Sequence, residues 1–206
     1  MSITIYGSPR SRTMRVLWMA EELSLEYSHV PVAFDDPYLK SLEFLRLNPA
    51  GSIPTLVDDG FAIGESLAIN IYLAKRYGIG RGLYARTVQE EADIWRWSLW
   101  AQGHVEPWVQ KDAPLFHRLE ASEDSLTHGI AELLRALSVL NAVTAARTWL
   151  SGEQFGVADL NVAGVLSPSR ASLIDWTGLD SARTWLRRCY ARDAALAVRE
   201  RFASPP

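Results

Sequence analysis

Gly78-Ile79-Gly80-Arg81-Gly82 places three glycines in five residues, and the residue patterns on its two sides differ in kind. Glycine loses more backbone entropy than any other residue when it is ordered, so such a cluster interrupts elements instead of extending them. Before the break, short alternating runs trade places with helical ones; after it, every run has helical spacing. The pattern predicts a domain over 1–77, a linker over 78–86 and an all-helical domain over 87–206. A chain of 206 residues suits two small cores better than one.

In the first half, Ile3 and Ile5 alternate with polar neighbours across 2–6, the period of a half-buried strand. From Ser11 to Leu23 the residues Val16, Leu17, Ala20 and Leu23 fall at helical spacing. A second strand is predicted over 27–34 and a helix over 39–47, stopped by Asn48-Pro49-Ala50-Gly51. Thr55-Leu56-Val57 and Phe61-Ala62-Ile63 flank Asp58-Asp59-Gly60, a hairpin turn in which glycine accepts a positive φ. A helix from Glu65 to Tyr77 closes this half. The order is βαβ, helix, ββα. The second half reads as helices near 87–108, 123–147, 157–166, 181–191 and 194–202. It holds seven of the eight tryptophans, most of them expected in the core because a bundle needs bulk at its packing positions.

With 48% hydrophobic and 22% charged residues the chain is expected to fold and not to be disordered. A net charge of -3 gives no general pull toward nucleic acid, so no nucleic-acid partner is expected. No uninterrupted apolar run reaches bilayer-spanning length, and the N-terminus reads as a strand, so no membrane association is expected. The lone Cys189 excludes an intrachain disulfide framework and points to a reducing, cytoplasmic compartment. His29, His104, His117 and His128 lack metal-ligand spacing, so no metal is expected. Arg10, Arg12 and Arg15 cluster locally; an anionic ligand and a solvated surface with one structural ion pair both account for them.

Two short segments carry chemistry. In Ser52-Ile53-Pro54-Thr55 the proline cannot donate to a sheet, so it belongs at a strand start. An Ile-Pro bond can be cis, which would turn the Ile53 backbone outward to pair with an extended peptide; a trans proline opening a strand is the plain alternative. Gly64-Glu65-Ser66 opens a helix, where unpaired N–H groups and the dipole favour an anion. Ser66 can donate to a carboxylate and Glu65 can accept from an ammonium group, together suiting the zwitterionic end of an amino acid. An ordinary cap with an acidic first turn also fits.

The run Asn48-Pro-Ala-Gly-Ser-Ile-Pro-Thr-Leu, then Gly64-Glu-Ser-Leu-Ala-Ile and Tyr72-Leu-Ala, closely resembles the glutathione site of cytosolic glutathione transferases. Phe155-Gly156-Val157-Ala158-Asp159 resembles the buried helix start of that family's C-terminal domain. The resemblance covers essentially the whole chain. It implies an α+β thioredoxin-like domain followed by an all-α domain, an enzyme with glutathione as co-substrate, and a homodimer in which each N-terminal domain meets its partner's helical domain. By resemblance Ile53 holds the cysteinyl part of glutathione with Pro54 cis, Glu65 and Ser66 hold the γ-glutamyl end, and Lys40 is a candidate for the glycine carboxylate. Asp159 is implied to be a folding residue; relatives carry Ser or Thr where Gly156 stands, which caps without a side chain.

Catalysis in the family resembles a single step, stabilisation of the glutathione thiolate for attack on an electrophile. A hydroxyl donor at the junction of the first strand and first helix suffices. Ser11 opens the predicted helix, as the catalytic serine does in phi-, theta- and delta-like members, or serves only as its N-cap. Ser8 lies nearer the place where other classes carry tyrosine. Arg12 stands about where beta-like members have cysteine and could also hydrogen-bond a thiolate. Tyr6 is expected within the strand with its ring in the core. The small hydrophobic electrophile is expected between the domains, against the first long C-terminal helix, where Trp97, Trp100, His104 and Trp108 are spaced to line one face; core or dimer contacts explain these rings equally well. Conjugation, with a role in detoxification, or hydroperoxide reduction leads. A glutathione-dependent isomerase or dehalogenase, or a non-catalytic binding or assembly protein on the same fold, is the alternative.

Overall fold

The computed structural model describes residues 2–109 and 122–203. They group into two compact units, one running to Tyr84 and completed by the segment from Ala191, the other spanning Ala85–Tyr190.

The first unit comprises β1 (Ile3–Tyr6), α1 (Thr13–Glu22), β2 (Ser28–Val30), a 3₁₀ turn (Pro37–Lys40), α2 (Leu42–Leu47), β3 (Thr55–Asp58), β4 (Phe61–Gly64) and α3 (Ser66–Tyr77). The sheet order is β2-β1-β3-β4, with β1 parallel to β2 and antiparallel to β3, and β3 antiparallel to β4. Ile3 and Ile5 are buried on alternate positions of β1. The second strand is shorter than the predicted 27–34 because Pro31 follows Val30 and has no N–H for the ladder. The helix predicted over 39–47 is divided at Ser41, whose Oγ accepts from the Phe44 N–H and starts α2 afresh. On α1, Val16, Leu17, Met19 and Ala20 are fully buried, and this helix packs on α3.

The second unit comprises α4 (Val88–Trp100), a π-helical turn (Ala101–Val105), α5 (Glu106–Val109), α6 (Glu123–Ala146), α7 (Val157–Val165), α8 (Pro168–Ala171) and α9 (Asp180–Tyr190). Every residue of α7 is buried, with α4 and α9 packed on it. The tryptophans depart from the expected core role: Trp97 and Trp185 are buried, but Trp100, Trp108, Trp149 and Trp176 are half-buried and Trp95 is exposed. Cys189 is buried. Among the described helices α6 is the longest. Its 24 residues reach a mean hydropathy of 1.3 over an 18-residue window, long and apolar enough to cross a membrane by those measures. Glu132 and Arg135 interrupt the run, which is why no unbroken apolar stretch shows in the sequence. In the fold α6 buries Gly129, Leu133, Ala136, Leu137 and Leu140 and packs on α9.

A tenth helix, α10 (Asp193–Arg201), packs on α1 and so joins the first unit, not the helical half in which the periodicity places it. Arg192 donates through Nε and Nη2 to the two carboxylate oxygens of Glu22, both at 2.7 Å, and Arg201 reaches Glu21 at 2.9 Å. Bidentate arginine pairing of this kind fixes geometry as well as adding energy.

Asp159 organises the start of α7. Its Oδ1 accepts from the Leu150 N–H at 3.0 Å and from Trp185 Nε1 at 2.8 Å; its Oδ2 accepts from the Gly156 N–H at 3.2 Å. Glycine supplies no side chain, so this is half of a capping box. Burial pushes the Asp159 carboxyl up to about 6, although the three donors pull the other way. The folded protein therefore holds a proton between pH ~4 and ~6 that the unfolded chain has released, and stability falls as pH rises through that window. Asp159→Ala should lower the melting temperature at every pH by orphaning three buried donors, at about 1–3 kcal/mol each before relaxation. Thermal melts of the wild type and Asp159→Asn from pH 4 to 7 should show the wild type losing stability relative to the variant as pH rises, by up to roughly 3 kcal/mol.

Candidate functional site

Strand register brings three chain segments to one edge of the sheet. Tyr6 pairs with Thr55, and Thr55 pairs with Gly64. The carboxyl end of β1, the amino end of β3 and the carboxyl end of β4 therefore lie side by side, with Gly7, Pro54 and Glu65 the next residues outward. Both α1 and α3 begin after these strand ends. Arg15 Nη1 donates to Ser66 Oγ at 3.2 Å, tying the first turns of the two helices together. Two helix N-termini thus face one edge, and their dipoles favour an anion there, although the first N–H groups of α1 are taken up by Ser11 Oγ and by the Ser11 and Arg12 carbonyls.

The β1–α1 loop folds on its own hydroxyls. Ser11 Oγ donates to the Ser8 carbonyl at 2.7 Å, and Ser11 N–H donates to the same oxygen at 3.0 Å. The Thr13 N–H donates to Ser11 Oγ at 3.1 Å, so Ser11 does help start the helix, although Arg12 is the capping residue and α1 begins at Thr13. Ser8 Oγ accepts from the Arg10 N–H at 3.2 Å. Arg12 is exposed and Ser8 and Ser11 are half-buried. The Tyr6 ring lies edge-on to Phe44 at 5.8 Å against the small cluster of Val32, Leu39 and Phe44.

The second loop is held by Asn48. Its Nδ2 donates to the Ser52 carbonyl at 3.0 Å and to Thr55 Oγ1 at 2.9 Å, and its Oδ1 accepts from the Ala50 N–H at 3.1 Å. The Ile53–Pro54 bond is cis. Lys40 Nζ donates to the Gly51 carbonyl at 3.2 Å, so its ammonium lies against this loop. Gly7 joins the two loops: a Cβ there would meet Thr13 Oγ1 at 2.1 Å and Ile53 Cβ at 3.0 Å, and its φ of 138° lies where side chains are disfavoured. The structure therefore gathers Ser8, Ser11, Arg12, Lys40, Ile53, Pro54, Glu65 and Ser66 within the first unit.

Trp97, Trp100, His104 and Trp108 belong to the second unit and do not share one environment. Trp97 is buried, Trp100 meets it edge-on at 5.1 Å, His104 is exposed on the π-helical turn, and Trp108 packs edge-on to His128 at 5.5 Å. The π turn carries an extra residue, which breaks the three-and-four spacing on which a common face depends.

Comparison with known proteins decides the family. Residues 1–75 match the model of the glutathione S-transferase N-terminal domain, and residues 101–193 match that of the C-terminal domain. Glutathione S-transferase stcT of Emericella nidulans is 30% identical over 97% of this chain and 89% of its own length. The chain belongs to the glutathione transferase family. Glutathione S-transferase GstB of Escherichia coli is 27% identical over 95% of this chain and 97% of its own length. A glutathione transferase of Phanerochaete chrysosporium, solved with oxidised glutathione, superposes with a TM-score of 0.84 at 24% identity, covering 98% of this chain and 95% of that one. The fold is accordingly a thioredoxin-like domain followed by a helical domain, as expected of the family.

Three contributors to the site escape the sequence reading. Arg15 stands inside the run Thr13-Met-Arg-Val-Leu-Trp, and a charge embedded in so apolar a helix face signals a buried partner; that partner is Ser66. Asn48 reads only as a helix stop, and Thr13 only as the end of the loop.

Glu65 is the strained residue of the site. It holds φ 65° and ψ 108°, caps α3 with no side-chain hydrogen bond, and its carbonyl accepts from the Ile69 N–H at 2.9 Å. A non-glycine residue in such a region costs on the order of 1–3 kcal/mol. Glu65→Gly should relieve that strain at the expense of a more flexible unfolded chain. The melting temperature should hold or rise, a net gain of up to about 1 kcal/mol by chemical denaturation.

Proposed function

We propose that glutathione lies along the edge formed by Ser11, Ile53–Pro54 and Glu65–Ser66, and that Ser11 activates its thiol for attack on a small hydrophobic electrophile. What supports this reading is the convergence of one hydroxyl, two helix N-termini and an Ile53–Pro54 backbone in cis on a single sheet edge, in a chain that belongs to the glutathione transferase family.

Each residue has a chemical reason. The Ile53 N–H and carbonyl suit the cysteinyl part of glutathione, as one strand pairs with another. Ser66 Oγ accepts from Arg15, so its own proton is the one directed to the γ-glutamyl carboxylate. Glu65 suits the ammonium group beside it, and Lys40 the glycine carboxylate. A free thiol has pKa near ~8.5 and is mostly protonated at neutral pH. A hydroxyl that hydrogen-bonds the sulfur favours the thiolate, and the N-terminus of α1 adds to the effect. Ser8 and Arg12 rank behind Ser11: Ser11 Oγ takes the N–H of the first residue of α1 and so sits at the start of that helix, Ser8 lies earlier in the loop, and Arg12 is exposed. Conjugation and hydroperoxide reduction both begin from this thiolate.

Ser11→Ala should raise the pKa of bound glutathione, seen in thiolate absorbance against pH. It should lower conjugation at pH 7 about ten- to a hundredfold, with much of the loss returning as pH increases, because the lost bond is worth roughly 1.5–3 kcal/mol. If Ser8→Ala or Arg12→Ala moves the thiol pKa and Ser11→Ala does not, the catalytic assignment passes to that residue. If none of the three does, a glutathione-binding protein without its own chemistry is the better reading.

The protein is also proposed to be a homodimer. On α4, Val88, Ala92, Trp95 and Leu99 recur at spacings of four, three and four, and all are exposed; Val88 is 78% and Leu99 63% accessible. An exposed apolar helix face of this kind marks a protein contact. Sedimentation at micromolar concentration should show dimers, and Leu99→Glu should shift the protein toward monomer.

A further inference from the structure

We propose that Thr13 is a positioning residue for Ser11, holding its oxygen and turning its hydroxyl into a stronger and transferable donor. The inference rests on the assignment of thiol activation to Ser11 and deepens it.

Proton bookkeeping within the loop supplies the argument. Ser11 has one hydroxyl proton, and the carbonyl of Ser8, 2.7 Å away, can only accept. That proton is therefore directed at Ser8. Ser11 Oγ also lies 2.9 Å from Thr13 Oγ1. With the Ser11 proton engaged, the bond between the two hydroxyls must run from Thr13 to Ser11. The Thr13 N–H donates to the same oxygen at 3.1 Å. Ser11 Oγ thus accepts two hydrogen bonds from one residue while donating a third elsewhere.

Two consequences follow from this arrangement. A hydroxyl oxygen that accepts donors becomes a better donor itself, because hydrogen bonds in a chain polarise one another. The oxygen is also fixed by Thr13, so its proton can swing from Ser8 to a sulfur without displacement of the atom that carries it. The Ser8 carbonyl is not orphaned by that swing, because it keeps the Ser11 N–H at 3.0 Å. Thr13 is suited to hold still. It is fully buried, and it occupies space that exists only because Gly7 has no side chain.

Thr13→Val removes the hydroxyl while keeping the shape and the N–H, and Thr13→Ser keeps the hydroxyl. Bound-thiol pKa and the pH profile of conjugation should be measured for both, alone and in the Ser11→Ala background. Thr13→Val should raise the thiol pKa and lower the rate at pH 7 about three- to tenfold. The KM for glutathione should change little, and Thr13→Ser should behave like the wild type. In the Ser11→Ala background Thr13→Val should have no further effect on the thiol pKa. If Thr13→Val fails to fold, Thr13→Ala takes its place with the same expected shift. A thiol pKa that moves with Ser11→Ala but not with Thr13→Val overturns the role of Thr13 and leaves that of Ser11 standing. An equal effect of Thr13→Val with and without Ser11 overturns it too, since the threonine would then act without the serine. If Ser11→Ala itself leaves the thiol pKa unchanged, both assignments fall together.

Discussion

Three segments meet at the backbone of Gly7, and they can do so because that residue has no side chain. Thr13 Oγ1 approaches from the first turn of α1, and Ile53 approaches from the loop ahead of β3. The Gly7 N–H donates to the Val30 carbonyl at 2.9 Å, and its own carbonyl meets His29 Nε2 at 2.8 Å, which anchors the junction to the neighbouring strand. The hydroxyls of the β1–α1 loop, the Ile53–Pro54 backbone and the edge strand therefore share one packing point. A methyl group there would force apart the elements that the proposed glutathione site requires to be adjacent.

The start of α7 differs from the starts of α1 and α3. In the second unit the start of α7 is closed from within: Asp159 takes the N–H groups of Gly156 and Leu150 and the indole of Trp185, and the whole helix is buried. In the first unit neither α1 nor α3 has an acidic residue in its first turn, and neither Arg12 nor Glu65 caps with its side chain, although Ser11 Oγ takes the first N–H of α1. The carboxylate beside α3 is Glu65, exposed and held in a strained conformation. The start of α7 is met by a carboxylate from its own first turn, whereas the dipoles of α1 and α3 meet none there and favour an external anion.

Much of this was legible in the residues themselves. Alternation in β1, helical spacing in α1 and the Asp58-Asp59-Gly60 turn are local signals, and the elements they predict are found within a few residues of the expected ends. The likeness of residues 48–74 to a known family supplied the proposed binding residues as a set. What could not be read were features set by tertiary contact. Arg15 pairs with Ser66 across fifty-one positions of sequence, and its apolar neighbours signal a buried partner without saying which. The π-helical turn at Ala101–Val105 adds a residue to one turn, so a face counted out at regular spacing from Trp97 to Trp108 comes apart in space. The tryptophans misled for a related reason: a large ring can be mostly covered and still keep one edge in solvent.

The return of α10 to α1 makes the first unit discontinuous in sequence, with the whole of Ala85–Tyr190 inserted between its parts. The Glu22 side chain is only 4% accessible, and its carboxylate is matched by an arginine 170 positions later. During synthesis the strands and helices of the unit's first part are made before the inserted segment, and the partner for Glu22 only after it. Until then the outer face of α1 carries a carboxylate without its cation and apolar surface without its cover. The order of translation and the order of completion are therefore reversed: the unit that begins first can finish only after the inserted helices have been made.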